Sequence, residues 1–381
     1  MGKDRREDLL KRWAIDAGFD RAGIARLGPS EHGEALERWL ERGDHAEMGW
    51  MERRVEVRRD PRRLLDGARS ALCVALQYHP HDGGEEIDGD LWPGVARYAR
   101  GEDYHRVMGE RLERLAERIE QAFPGARSRA YVDTGPVLER ELAQRAGLGA
   151  IGKNTNLLDP EAGSWFLLGE LLLTLELAED AAVGDLCGSC TACLDACPTD
   201  ALPQPYRLDS RSCISYWTIE HRGPIPRRVR PSLGRWVFGC DVCQEVCPVN
   251  EAPLAAREER LRLPVERRRL GLVELLELTR DEYVERFRHS PMKRAKLEGL
   301  KRNAAVTMGN SGDRRYVPAL GRALTEESDA TVRGHAAWAL GRLGGDAAQR
   351  ALGAAWRAET EVAVRDEIAA ARERLAGAAT A

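Results

Sequence analysis

Eight of the nine cysteines in this 381-residue chain fall between Cys187 and Cys247. The first run reads C-G-S-C-T-A-C-L-D-A-C-P, with Cys187, Cys190, Cys193 and Cys197 followed by Pro198. The spacing C-x2-C-x2-C-x3-C-P wraps three thiolates around one face of a four-iron cubane, and the proline turns the chain away. The second run, C-D-V-C-Q-E-V-C-P, holds Cys240, Cys243, Cys247 and Pro248; it lacks a leading cysteine, and Cys213 is the unassigned thiol nearby. In two-cluster chains the fourth cysteine of each run serves the other cluster. The expected ligand sets are therefore Cys187, Cys190, Cys193 and Cys247 for one 4Fe-4S cluster, and Cys197, Cys213, Cys240 and Cys243 for the second. Four-thiolate zinc sites are the alternative, but they usually show two separated C-x2-C knuckles rather than three cysteines in succession.

The elements that must position these thiolates change character along the chain. Residues 1 to about 180 read as mixed α and β. A helix is expected over Arg5–Ala17, with Leu9, Leu10, Trp13 and Ala17 on one face and Gly18 as its stop. Further helices are expected at Glu31–Arg42 and Arg106–Ala122, and strands at Ala71–Tyr78, Ala130–Val132 and Trp165–Leu177. A cysteine-, proline- and glycine-rich module follows at 181–255, and 256–381 is helical in pattern. That tail repeats: Lys301, Arg333 and Arg365 each open an alanine-rich stretch at a constant register of 32 residues. Such units resemble HEAT-like repeats, which stack because no single one can bury its own apolar face.

Composition limits the function classes. Charged residues make up 31% and the net charge is -4, so any nucleic-acid surface must be a local patch. The longest apolar stretch, Trp165–Leu177, is interrupted by Glu170 and Glu176 and is too short to span a bilayer. The charged start M-G-K-D-R-R-E-D has no apolar signal core, and Arg6 stands where a myristoylation signal needs Ser or Thr. Reduced cluster thiolates suit the cytoplasm. Cys73, in the run Ala71–Leu76, is expected to be a buried small hydrophobe.

Four local signatures make a resemblance specific: Y-A-R-G-E-D-Y-H (Tyr98–His105), Y-V-D-T-G-P-V-L-E-R (Tyr131–Arg140), G-A-I-G-K-N-T-N-L-L (Gly149–Leu158) and G-S-W-F-L-L-G-E (Gly163–Glu170). With the two-cluster module and the repeat tail, they resemble the epoxyqueuosine reductases, which act in queuosine synthesis on tRNA and are related to the reductive dehalogenases. The resemblance implies an α+β fold in three parts. A mixed α/β cobalamin-binding catalytic domain spans 1–180, a bacterial-ferredoxin-like domain with two 4Fe-4S clusters spans 181–255, and an all-α HEAT-like region spans 256–381. It also implies cobalamin with no histidine on cobalt. The sequence Asp103-Tyr104-His105-Arg106-Val107-Met108 misses the glycine of the D-x-H-x-x-G pattern used where histidine does bind cobalt.

Asp133 stands at the family's proton-donor position, although by residue type alone it reads as a turn or helix N-cap residue. Taking an epoxide to an alkene consumes two electrons and two protons and releases water, so an acid must stand beside the departing oxygen. A carboxyl group in that role is expected to have its pKa raised by burial. The resemblance places Arg58, Arg97, Tyr104, Asn156, Ser215 and Arg222 along the corrin or substrate pocket. Gly149 and Gly152 are expected to serve a tight turn. Basic residues at Arg227, Arg228 and Arg230, and at Lys293, Arg294 and Lys296, are expected to meet tRNA phosphates, with specificity coming from a splayed-out wobble base. His105, with the preceding Tyr104, could stack on a base or sugar, or serve packing.

The expected protein is a cytoplasmic, monomeric oxidoreductase that reduces epoxyqueuosine in the tRNA anticodon stem-loop, using electrons from an unidentified donor. A small-molecule corrinoid reductase and a binding scaffold with structural clusters are the competing readings.

Overall fold

The apolar runs at 70–77 and 166–173 have almost no polar face, so both must be covered on two sides and lie at the centre of a sheet. The computed structural model describes residues 5–79 and 89–379; the opening Met1–Asp4 of the charged N-terminus lies outside them. The chain divides into two units. The first holds residues 1–84, 101–211 and 241–262, and the second holds 85–100, 212–240 and 263–381. The cysteine-rich segment expected as one module thus contributes residues to each.

In the first unit, α1 (Arg6–Asp16) leads to β1 (Arg21–Arg26). The helices α2 (Gly33–Glu41) and α3 (Val55–Arg59) precede β2 (Ser70–Gln77). Then come α4 (Tyr104–Ala122), β3 (Ser128–Tyr131), α5 (Glu139–Arg145), the short pair β4 (Ala150–Ile151) and β5 (Leu157–Leu158), and β6 (Phe166–Leu173). Four strands form an antiparallel sheet in the order β1-β2-β6-β3. Every residue of β2 is buried.

Residue alternation assigns the two faces. On one face α4 packs through Met108 and Leu112 against Gly169, where a Cβ would lie 3.0 Å from the Leu112 side chain. On the other, Leu142 and Ala143 of α5 and its C-cap Ala146 join Cys73, Ala75 and Leu172 in one apolar cluster. Cys73 is fully buried there, as expected. Gly23 of β1 admits α5 closely, because a Cβ at that position would collide with the Ala146 carbonyl. Burying each large aliphatic side chain in this core contributes roughly 1.5–3 kcal/mol. Two single turns, α6 (Ala192–Asp195) and α7 (Val242–Glu245), sit within the cysteine runs.

The second unit contains α8 (Leu272–Glu277), α9 (Arg280–Phe287), α10 (Lys296–Ser311), α11 (Val317–Glu326), α12 (Ala330–Leu343), α13 (Asp346–Ala358) and α14 (Val362–Ala379). The 32-residue register has a physical cause. Lys301 pairs with Glu327 at 2.6 Å and Arg333 pairs with Glu359 at 2.8 Å. Each cation thus fixes the C-terminal cap of the intervening helix, α11 or α13. The repeat-equivalent Gly309 and Gly341 bring α10 onto α12 and α12 onto α14: a Cβ would lie 2.9 Å from Ala339 in the first case and 2.7 Å from Ala371 in the second.

Arg302, beside Lys301, is buried, and burial depresses its guanidinium to about 9. It donates to the carbonyl oxygens of Trp217 (2.8 Å), His221 (3.0 Å) and Gly223 (2.7 Å), and to the Asn303 side chain. Asn303 Nδ2 donates in turn to the carbonyls of Thr218 and Val237, both at 2.8 Å. The segment between Cys213 and Cys240 is therefore anchored to α10 by two buried polar side chains. Replacing Arg302 with Met should leave these acceptors unsatisfied and cost about 3 kcal/mol or more. A lowered urea midpoint with an unchanged slope would register that loss.

Candidate active site and cluster-binding loops

Strand β3 ends at Tyr131, and the chain then turns sharply, with Thr134 N donating to Val132 O at 2.6 Å. The turn puts Asp133 in the left-handed region at φ 57, which a residue with a Cβ rarely occupies. Asp133 caps no helix, since α5 begins at Glu139 after Leu138. Its backbone N–H instead donates to Glu139 Oε1 at 2.6 Å. Its side chain is more than half exposed and meets His105, with His105 Nε2 and Asp133 Oδ2 at 3.2 Å. His105 lies in the first turn of α4, whose N-cap Asp103 accepts from the His105 backbone and holds Nδ1 at 2.7 Å. Tyr104 and His105 stack on one another, with ring centroids 4.2 Å apart.

The electrostatics revise the expected acid. Burial acts to raise the Asp133 carboxyl, but hydrogen bonds from His105 and Tyr104 and the His105 charge outweigh it, leaving the group below the ordinary carboxylate range. Burial acts to lower His105, yet Asp103 and Asp133 together lift it to about 9. At neutral pH the proton of this pair resides on the imidazole, between two carboxylates. Burial has not raised the Asp133 pKa as expected.

Cys187, Cys190, Cys193 and Cys247 line one cavity of about 100 Å³, together with Lys153 and Asn154. Four thiols spread around such a space suit a cluster better than one ion. Among the described residues, no group of three or more His, Cys, Asp or Glu side chains is placed to hold a single metal ion. Lys153 clamps the first loop: its N–H donates to Cys187 Sγ at 3.4 Å, and its Nζ donates to the carbonyls of Gly188 (2.7 Å) and Cys190 (2.9 Å). Asp185 accepts from the N–H groups of Cys187 and Gly188. Asn154 holds the Cys243 carbonyl, and Asn156 Nδ2 points at Cys243 Sγ from 3.8 Å. Donors aimed at cluster sulfurs raise the reduction potential, because they favour the more negative reduced state. Sequence reasoning missed Lys153 and Asn154, although both lie in the quoted 149–158 signature.

The other expected residues part company. Arg58 is half-buried beside Gly135, its Nε buried and without a hydrogen-bond partner among the described residues. Tyr104 is at the acid–base pair. Arg97 and Ser215 are half-buried in the second unit. Arg222 is committed to the carbonyls of Ile219 and Arg294, at 2.7 Å each. Gly149 is not in a turn: it stands just before β4 at φ 156, and a Cβ there would meet the Leu158 carbonyl of β5, so its smallness serves the close approach of these strands. Of the basic residues, Arg228, Lys293 and Lys296 are exposed. Arg294 pairs with Glu220 at 2.8 Å and Arg227 with Glu367 at 3.0 Å, each remaining about half exposed. Arg230 is a correction: it is only 2% exposed, bonded to both Glu367 oxygens and to the Ile225 carbonyl, and cannot face a phosphate.

Family comparisons agree with this layout. Residues 58–134 match the family described as epoxyqueuosine reductase QueG, DUF1730; residues 186–250 match the 4Fe-4S double cluster binding domain; and residues 294–372 match HEAT repeats. The epoxyqueuosine reductase of Leadbetterella byssophila is 41% identical over 297 residues, covering 78% of this chain and 96% of the relative. A structure of epoxyqueuosine reductase from Bacillus subtilis, its aspartate catalytic loop swung out of the active site, superposes with a TM-score of 0.89 at 29% identity, covering 97% and 98% of the two chains. A second, of an epoxyqueuosine reductase with an epoxyqueuosine-modified tyrosine tRNA stem loop, gives 0.89 at 30% identity with the same coverage. The cluster domain match decides against zinc.

The His105 ion pairs stabilise the fold fully below the ordinary histidine pKa, and that contribution is lost as pH rises through about 9. A proton NMR titration should find the His105 midpoint near there, and Asp133→Asn should move it downward. A midpoint at the ordinary histidine value would show that the pairs do not hold in solution.

Proposed function

We propose that this chain, which belongs to the epoxyqueuosine reductase family, reduces epoxyqueuosine to queuosine in the anticodon stem-loop of tRNA, in the cytoplasm. The observation that carries the chemistry is the His105–Asp133 contact on a strained, half-open turn. The reaction adds two electrons and two protons to the epoxide, breaks both of its C–O bonds, forms the alkene and releases water. Asp133 is the carboxyl placed to face the departing oxygen, and His105 is the group that holds the proton beforehand. Excluding water over Asp133 when the nucleoside binds favours the neutral carboxyl and draws the proton across the 3.2 Å contact. Asp103 keeps the imidazole oriented, and the Tyr104 ring covers one of its faces.

Cobalamin, when bound, supplies low-potential electrons to the substrate. Arg58 fits that group best of the six expected residues, because its unpartnered buried Nε suits an amide oxygen of the corrin rim. Tyr104, Arg97 and Ser215 remain candidates for it. Asn156 is better read as a donor to the Cys243 thiolate, and Arg222 as a structural group. Both expected ligand sets are part of this proposal, and the common cavity of Cys187, Cys190, Cys193 and Cys247 supports the first of them.

No helix among the described residues is long and apolar enough to cross a membrane. Arg228, Lys293 and Lys296 are the cations proposed to reach phosphates, with Arg227 and Arg294 available if their carboxylate partners yield.

Two measurements test this function. Asp133→Asn keeps the size of the side chain, so tRNA binding should persist while turnover, followed by mass analysis of tRNA nucleosides, falls about 10²–10⁴-fold. Wild-type turnover in that variant would make Asp133 a turn residue only. Replacing Arg228, Lys293 and Lys296 together with Ala should flatten the salt dependence of tRNA binding by about one unit of slope per lost contact. An unchanged slope would place the RNA elsewhere.

A further inference from the structure

Two of the quoted signatures carry a glutamate that the chemistry above leaves unused, Glu139 and Glu170. Glu170 sits mid-strand in β6 and is fully buried, on the face covered by α5. Cys73 stands opposite it on β2 and Tyr131 on β3. Neither Glu170 oxygen meets a donor among the described residues. Its neighbour is the Glu139 carboxyl, within hydrogen-bond reach. Two carboxylates that close, one of them dry, repel strongly unless a proton lies between them.

We propose that Glu139 and Glu170 hold one proton between them and that Glu139 is the positioning residue for Asp133. Glu170 is the neutral partner and donates its O–H to Glu139. Glu139 accepts that bond and, on Oε1, the backbone N–H of Asp133. The left-handed turn is thereby fixed from beneath, which sets where the Asp133 carboxyl points. The inference rests on Asp133 as the reacting acid. Burial and the Asp133 charge raise Glu139 to about 7, and burial and Glu139 hold Glu170 well above the ordinary carboxylate range. The other groups facing the pair are Cys73, whose thiol burial keeps neutral, Tyr131, Arg58, and Arg140 and Arg145 of α5. As pH rises through about 7, Glu139 becomes the stronger acceptor and the turn is held more firmly.

The test uses the cluster-loaded full chain. In mildly alkaline buffer the wild type should show the infrared carbonyl stretch of one buried, protonated carboxylic acid. That band should persist in Asp133→Asn and vanish in Glu170→Gln. Its absence from wild type, or its loss in Asp133→Asn alone, would overturn the shared proton. Glu139→Ala should lower kcat about tenfold or more with KM for tRNA unchanged, since the turn is loosened but the RNA contacts are not. Glu139→Gln keeps an acceptor for the Asp133 N–H and should recover much of that loss, while its kcat profile should lack the limb near 7 seen in wild type. A Gln variant that retains the limb overturns the proposal, as does an Ala variant with wild-type kcat. Should wild type show the band yet leave epoxyqueuosine tRNA unchanged, the functional reading fails and the carboxyl pair stands.

Discussion

A carboxyl group in the middle of a dry strand constrains much of the first unit. Glu170 occupies a position in β6 where its neighbours on the two adjacent strands are Cys73 and Tyr131, and no cation among the described residues bonds to it. An apolar residue would pack there at no electrostatic cost. A neutral carboxyl there needs an acceptor for its proton, and α5 brings Glu139 to it at its first residue. The direction in which α5 leaves the turn is thus tied to the sheet, and the turn between them carries Asp133. The close approach of α5 at Gly23 serves the same arrangement, since a larger residue would push the helix, and with it Glu139, off the strand.

The second unit solves a related problem with the opposite charge. Loops rich in proline and glycine, such as the one between Cys213 and Cys240, leave carbonyl oxygens that no regular element satisfies. Arg302 and Asn303 reach into that loop from α10 and satisfy six acceptors between them, counting the Asn303 side chain as one. The cost of burying a guanidinium is visible in its depressed pKa, and the directed bonds to carbonyls offset it. A helical repeat therefore does more than offer a surface. Its first helix holds the backbone of a segment bearing two of the expected cluster ligands.

Legibility in the sequence followed the range of each interaction. The cysteine spacing was plain because a cubane is gripped by short local loops, and α4 and β2 because their apolar pattern is long and regular. Strand β1 was missed: Arg21–Arg26 is short and begins and ends in arginine, and only pairing with β2 makes it a strand. Basic runs misled most. Arg230 looks like its neighbour Arg228 in sequence, and only the chain's return at Glu367 separates a buried ion pair from an exposed cation. Lys153 was hidden for the same reason, since its partners lie some thirty-five residues away. The signatures named the right segments, while the role of each residue depended on what folds back onto it.

The proton's location at rest is the last consequence of these contacts. An exposed, neutral aspartic acid would lose its proton to water at neutral pH, and a deeply buried one would be shielded from a substrate as large as a tRNA loop. The arrangement here avoids both. Asp133 stays at the surface, where a nucleoside can cover it, and the proton waits on an imidazole that two carboxylates keep charged. With Asp133 as the proposed acid, covering it removes the water that favours its ionised form, so the same event that seats the substrate also makes the acid competent. That coupling works only if the carboxyl keeps its aim while its charge changes. The hydrogen bond to Glu139 engages the Asp133 backbone and not its side chain, so it survives the transfer.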